Sequence, residues 1–182
     1  MTNRPCTRLL ASTWGLFALS SLACGGGDSA SKCSELQGYQ PSVTTPLSFA
    51  TDIHPILANT TMSVGCSQTV ICHGTPPWPV DAAMTKTFSL IDAAPTVKTA
   101  LLQQVPVNAP SMKFVVPSNV GASFLAYKIS GADGLACVSA MCASGASNTS
   151  TKPCGDAMPV GGILSAADRV KILDWIAQGA AD

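Results

Sequence analysis

Cys66-Ser67-Gln68-Thr69-Val70-Ile71-Cys72-His73-Gly74 is the stretch on which the reading of this chain turns. Two thiols lie close along the backbone, and an imidazole directly follows the second. Two cysteines and an adjoining His can hold a haem, the sulfurs forming thioether bonds and the imidazole lying beneath the iron. The common pattern has two residues between the cysteines; here there are five. The extra residues would have to bulge outward while both sulfurs still reach the porphyrin.

Such an iron needs a sixth ligand, and a thioether is the soft donor that raises the potential and closes the iron to substrates. Met158 suits this role. It sits in the irregular run Asp156-Ala157-Met158-Pro159-Val160-Gly161-Gly162, whose glycines allow close approach to a flat macrocycle. Met62, Met84, Met112 and Met141 lack that setting. Other readings of the cysteines stay open. Cys66 and Cys72 can close a small disulfide loop with His73 merely exposed. Cys66, Cys72, His73 and Cys154 together could ligate zinc, although the spacings match no familiar zinc module. His54 is a second possible iron ligand, although a His beside Pro more often lies at a surface or a cap.

Outward from this stretch, residues 1–23 read as a signal segment. Arg4 and Arg8 form a basic start, and the run to Leu22 is mostly apolar but short for a membrane-spanning helix. It ends in Ser21-Leu22-Ala23-Cys24, which resembles a lipobox with Ser21 in place of the usual aliphatic residue, so Cys24 is the candidate lipidation site; an ordinary cleaved secretory signal is the alternative. Residues 24–47 then read as a flexible tether and irregular lead-in, starting with Gly25-Gly26-Gly27 and broken by Pro41 and Pro46. Residues 48–182 form the expected domain.

Without residues 1–23, Lys and Arg fall from 10 to 8 against 10 Asp and Glu, a net charge near −2. No basic stripe is present, which argues against nucleic acid. Beyond Cys6 and Cys24, six cysteines remain. If haem takes Cys66 and Cys72, then Cys33, Cys137, Cys142 and Cys154 can form two disulfides; without haem, three bridges are possible. Either count fits an oxidising compartment.

The patterning predicts short helices. Ser48 caps one over 48–57, with Phe49, Ile53, Ile56 and Leu57 on one face and Pro55 either near its start or at a kink. Val97 to Val105 and Ser118 to Ile129 give two more. Residues 131–157 are Gly- and Ser-rich and have too few apolar groups to offset ordering entropy, so disulfides are their expected stabilisers. The last helix is the clearest: Ser165 and Asp168 make a capping-box-like start, Val170, Leu173, Ile176 and Ala177 form the stripe, and Gly179 ends it. Trp175 and Phe49 are expected in the core, where the first and last of these helices cross.

Taken in order, these residues resemble the c-type cytochrome domains of exported and lipid-anchored bacterial proteins. The resemblance covers roughly residues 48–180. It rests on Phe49 with Asp52-Ile53 and Pro55-Ile56-Leu57, on Cys72-His73-Gly74, on Val115-Val116-Pro117 with Ser123-Phe124-Leu125, on Met158-Pro159-Val160-Gly161-Gly162, and on Trp175-Ile176-Ala177-Gln178-Gly179-Ala180. It implies an all-α, small cytochrome c-like fold with long irregular, disulfide-stapled loops. One covalent haem c would be held by Cys66 and Cys72, its iron ligated by His73 and Met158. Attachment through Cys72 alone is the variant that the wide cysteine spacing leaves open.

The implied function is electron transfer, not catalysis, since no catalytic constellation is legible. The implied place is the periplasmic side of a membrane, outer membrane or cell surface in preference to inner membrane, with a redox protein as partner. The contrasting expectation is a haem-free, disulfide-stapled lipoprotein of the same fold, acting in binding or structure.

Overall fold

The computed structural model describes residues 28–61, 66–67, 89–142 and 153–182. Among the described residues the regular structure is helical, with no strand and one isolated bridge between Lys113 and Ser123.

The N-terminal helix α1, Asp28–Gln37, stands where composition predicts an irregular lead-in. Its own sequence has little reason to be helical. Tertiary contacts hold it: Leu36 is buried, Cys33 is bridged to Cys137, and Gly121 lies so close that a Cβ there would meet Gln37 Cα at 2.9 Å. The strap that follows is tied to the far end of the chain. Asp174 accepts from the Tyr39 hydroxyl at 2.8 Å, from Ser42 N–H at 2.8 Å and from Ser42 Oγ at 2.6 Å. The Gln178 amide binds Leu47 N–H, Val43 O and Thr45 O.

Ser48 is the expected cap. Its Oγ accepts from Thr51 N–H while Asp52 Oδ2 accepts from Ser48 N–H, a reciprocal pair. Pro55 then produces something other than a simple kink. Phe49–Ile53 is wound as a π turn, with His54 N–H reaching Phe49 O, and α2, His54–Leu57, continues from it with Pro55 in its first turn. A proline has no N–H to donate, so early in a helix it loses nothing. The third helix, α3, runs Ala94–Gln103 and not to Val105. Pro106 disfavours helical geometry in the residue before it, Gln104 is already extended, and Val105 is left exposed.

The helix expected over 118–129 is in fact two elements. Val120–Ala122 is a 3₁₀ turn capped by Asn119, and α4 is Phe124–Ile129. Ser123 breaks them apart: its backbone is extended, and its hydroxyl accepts from Val116 N–H and donates to Asn119 O. The N–H groups of Phe124 and Leu125, which a continuous helix would use internally, bind Lys113 O and Phe114 O. The Gly-rich stretch from 131 is more regular than its composition suggests, beginning with α5, Gly131–Cys137. Its disulfides are present as expected, Cys33–Cys137 and Cys142–Cys154.

The last helix, α6, is Ala166–Ala177, capped by Ser165 Oγ accepting from Asp168 N–H at 3.0 Å and followed by Gly179 at φ 102°. Its buried face is Ile172, Leu173, Asp174, Trp175 and Ile176. Val170, expected in the stripe, is only partly covered. Trp175 is fully buried, packs on Phe49 with ring centroids 5.1 Å apart, and donates Nε1–H to Ala181 O. The π turn and α6 therefore meet at the centre of the core, as the two aromatic residues predict.

Candidate cofactor site

The Met158 loop is built from both ends. Cys154 is fixed by its bridge to Cys142, and α6 begins soon after the buried Leu164. Between them the loop hangs on α4: Met158 N–H donates to Lys128 O at 2.9 Å, and Lys128 Nζ donates to Cys154 O at 2.9 Å and Asp156 O at 2.6 Å. The same ammonium lies 5.5 Å over the Phe124 ring. Burial pushes the Lys128 pKa down to about 8, partly countered by the Asp156 charge. Lys128 thus cross-links α4 to the backbone around Met158. The sequence shows it only as a Lys aligned with Phe124, Leu125 and Ile129, an apolar helical face.

Met158 itself is half-buried at the margin of the core and joined to Pro159 by a cis peptide. Beside it runs an open groove of about 450 Å³, lined by Asp156, Ala157, Pro159, Val160, Gly161, Gly162 and Ile163. Met158 is not on its wall, so the groove and the thioether are separate features of one loop. Of the other methionines in the described residues, Met112 is a core residue and Met141 is exposed.

Cys66 is buried, and Ser67 fixes its position. Ser67 Oγ donates to Leu57 O at 2.7 Å and Ser67 N–H to Asn59 O at 3.2 Å, so the start of the cysteine-histidine stretch is pinned to the C-terminal end of α2. Cys72 and His73 lie outside the described residues, as do Cys24, Met62 and Met84. Of the four candidate cofactor residues the structure describes Met158 and Cys66, on the loop before α6 and beyond α2 respectively.

Two rival readings meet direct obstacles. Cys154 is committed to a disulfide, so it is not available as a thiolate for a zinc site with Cys66, Cys72 and His73. His54 Nε2 hydrogen-bonds Leu90 O at 3.1 Å and its ring packs 5.9 Å from Phe49, a structural placement. Among the described residues, no three His, Cys, Asp or Glu side chains converge on a common point.

One further polar group was not legible in the sequence. Gln104 Oε1 is buried without a hydrogen-bond partner. Its backbone carbonyl accepts from Phe114 N–H, and Phe114 in turn faces Phe124 with ring centroids 6.5 Å apart. Buried acceptors of this kind are normally met by water or by a bound molecule.

No family model, curated protein or solved structure matches this chain.

Proposed function

We propose that this protein is a lipid-anchored electron carrier of the exported bacterial cytochrome c type, with a cytochrome c-like fold and one haem c. In this reading Cys66 and Cys72 form the thioether bonds, His73 and Met158 are the axial ligands, and Cys24 carries the lipid. The haem would supply an iron that cycles between two oxidation states; two strong axial ligands keep it from binding substrates. The redox partner is a protein, and the site of action is the periplasmic side of a membrane or the cell surface.

The observation that carries the reading is the fixing of Met158. Its thioether is half-buried on a loop that one disulfide and three hydrogen bonds to Lys128 hold in place. A methionine placed only to fill the core would not need a loop so restrained. Three other features support the reading. The Phe49 turn crosses α6 at Trp175, as the resemblance implies. Cys66 is buried, and its neighbour Ser67 is tied to Leu57 at the end of α2. The two bridges use Cys33, Cys137, Cys142 and Cys154, leaving Cys66 and Cys72 outside them.

The test is spectroscopic. Protein matured in a cell that attaches other covalent haems should be red, with a sharp α-band on reduction and haem retained after denaturation. A colourless product with all its cysteines oxidised overturns the reading and leaves the haem-free stapled module.

A further inference from the structure

Composition makes all of residues 24–47 a leash, which fully extended would reach on the order of 80 Å. The structure shortens it. From Asp28 onward the chain is helical, and α1 is cross-linked to α5 through Cys33–Cys137. Leu36 is buried, and Gln37 is pressed against Gly121. The strap after it is held on α6 by Asp174 and Gln178. Only Gly25, Gly26 and Gly27 separate Cys24 from this fixed body. Four backbone steps span at most about 14 Å.

We propose that the domain is held directly against its bilayer, with α1 as the membrane-proximal element. This rests on the lipid anchor at Cys24 proposed above. A folded body of this size is roughly 40 Å across. Body and tether together then reach no more than about 55 Å above the lipid surface. A free leash over 24–47 would more than double that reach.

The experiment uses the acylated full chain on a supported bilayer of phosphatidylethanolamine and phosphatidylglycerol. Neutron reflectivity reads the solvent gap between headgroups and protein. The natural chain should show a gap no wider than about 14 Å. Inserting about twenty Gly and Ser residues between Gly27 and Asp28 should widen it by on the order of 20 Å. A natural chain that stands off as far as the extended one overturns the proposal. An intact mass without acyl groups on Cys24 overturns the anchor and the proposal together. Absence of haem alone sinks only the electron-transfer reading and leaves the gap measurement decisive for the geometry.

Discussion

The Tyr39 hydroxyl donates a 2.8 Å hydrogen bond to Asp174 across 135 residues of sequence. Asp174 is buried on the core face of α6, and its two oxygens also take the N–H and hydroxyl of Ser42. A carboxyl at a core position of an apolar helix stripe is retained here because every one of its described partners is a donor.

Asp174→Asn should therefore destabilise the domain by about 2–4 kcal/mol, because the new amide presents N–H groups to donors already in place. Tyr39→Phe should cost only about 1–2 kcal/mol. Urea unfolding of both variants checks the order; equal costs would mean that the strap is not organised by Asp174.

Stability should vary with alkaline pH in two opposed steps. Folding lowers the Lys128 pKa from 10.5 to about 8 through burial, so between these values the unfolded chain binds more protons and stability rises with pH. Folding raises the Tyr39 pKa from its ordinary 10.0, through burial first and then the hydrogen bond to Asp174 and its charge; burial raises Tyr127 as well. Above about pH 10 the folded state binds more protons and stability falls. Chemical denaturation from pH 7 to 11 should show a maximum near pH 10. Lys128→Met should flatten the rise and Tyr39→Phe should reduce the fall.

The two disulfides should differ in worth. Cys33–Cys137 spans 104 residues and Cys142–Cys154 spans 12. Loop-closure entropy predicts about 4–5 kcal/mol for the long bridge and about 3 kcal/mol for the short one. Paired Cys→Ser variants, compared by urea midpoint, measure the difference. A short bridge that costs more than the long one would show that α1 is dispensable to the folded body.

Met158→Ala tests the proposed distal ligand apart from the fold. The side chain is only half-buried, so the loss of stability should stay below about 2 kcal/mol. On the proposed function, covalent haem should remain in this variant, while the oxidised iron becomes open to added imidazole or cyanide. A variant with the parent's spectrum and ligand affinity would exclude Met158 from the iron.

The parts of the fold that local chemistry dictates were legible in the sequence. Ser165 and Asp168 cap α6 as their spacing predicts, Ser48 caps the turn at Phe49, and Trp175 meets Phe49 in the core. Where tertiary contacts decide, the sequence misleads. Helix α1 has one deeply buried apolar residue, Leu36, and a disulfide in place of an apolar stripe. Ser123 looks like a helix residue and is a break, because its hydroxyl and the next two N–H groups are taken by residues 113–119. At the candidate site, the Pro and Gly neighbours of Met158 single it out in the sequence. The clamp on it was not: a Lys among Phe124, Leu125 and Ile129 gives no hint that its ammonium turns onto carbonyls far along the chain.

Cys142 and Cys154 together isolate what lies between them. Both ends of that segment are locked to each other, and Lys128 grips the chain again just beyond. A change of length between them should leave Met158 in place, since loop length itself costs little. A tag or epitope inserted between the two cysteines should accordingly leave the thioether where it is.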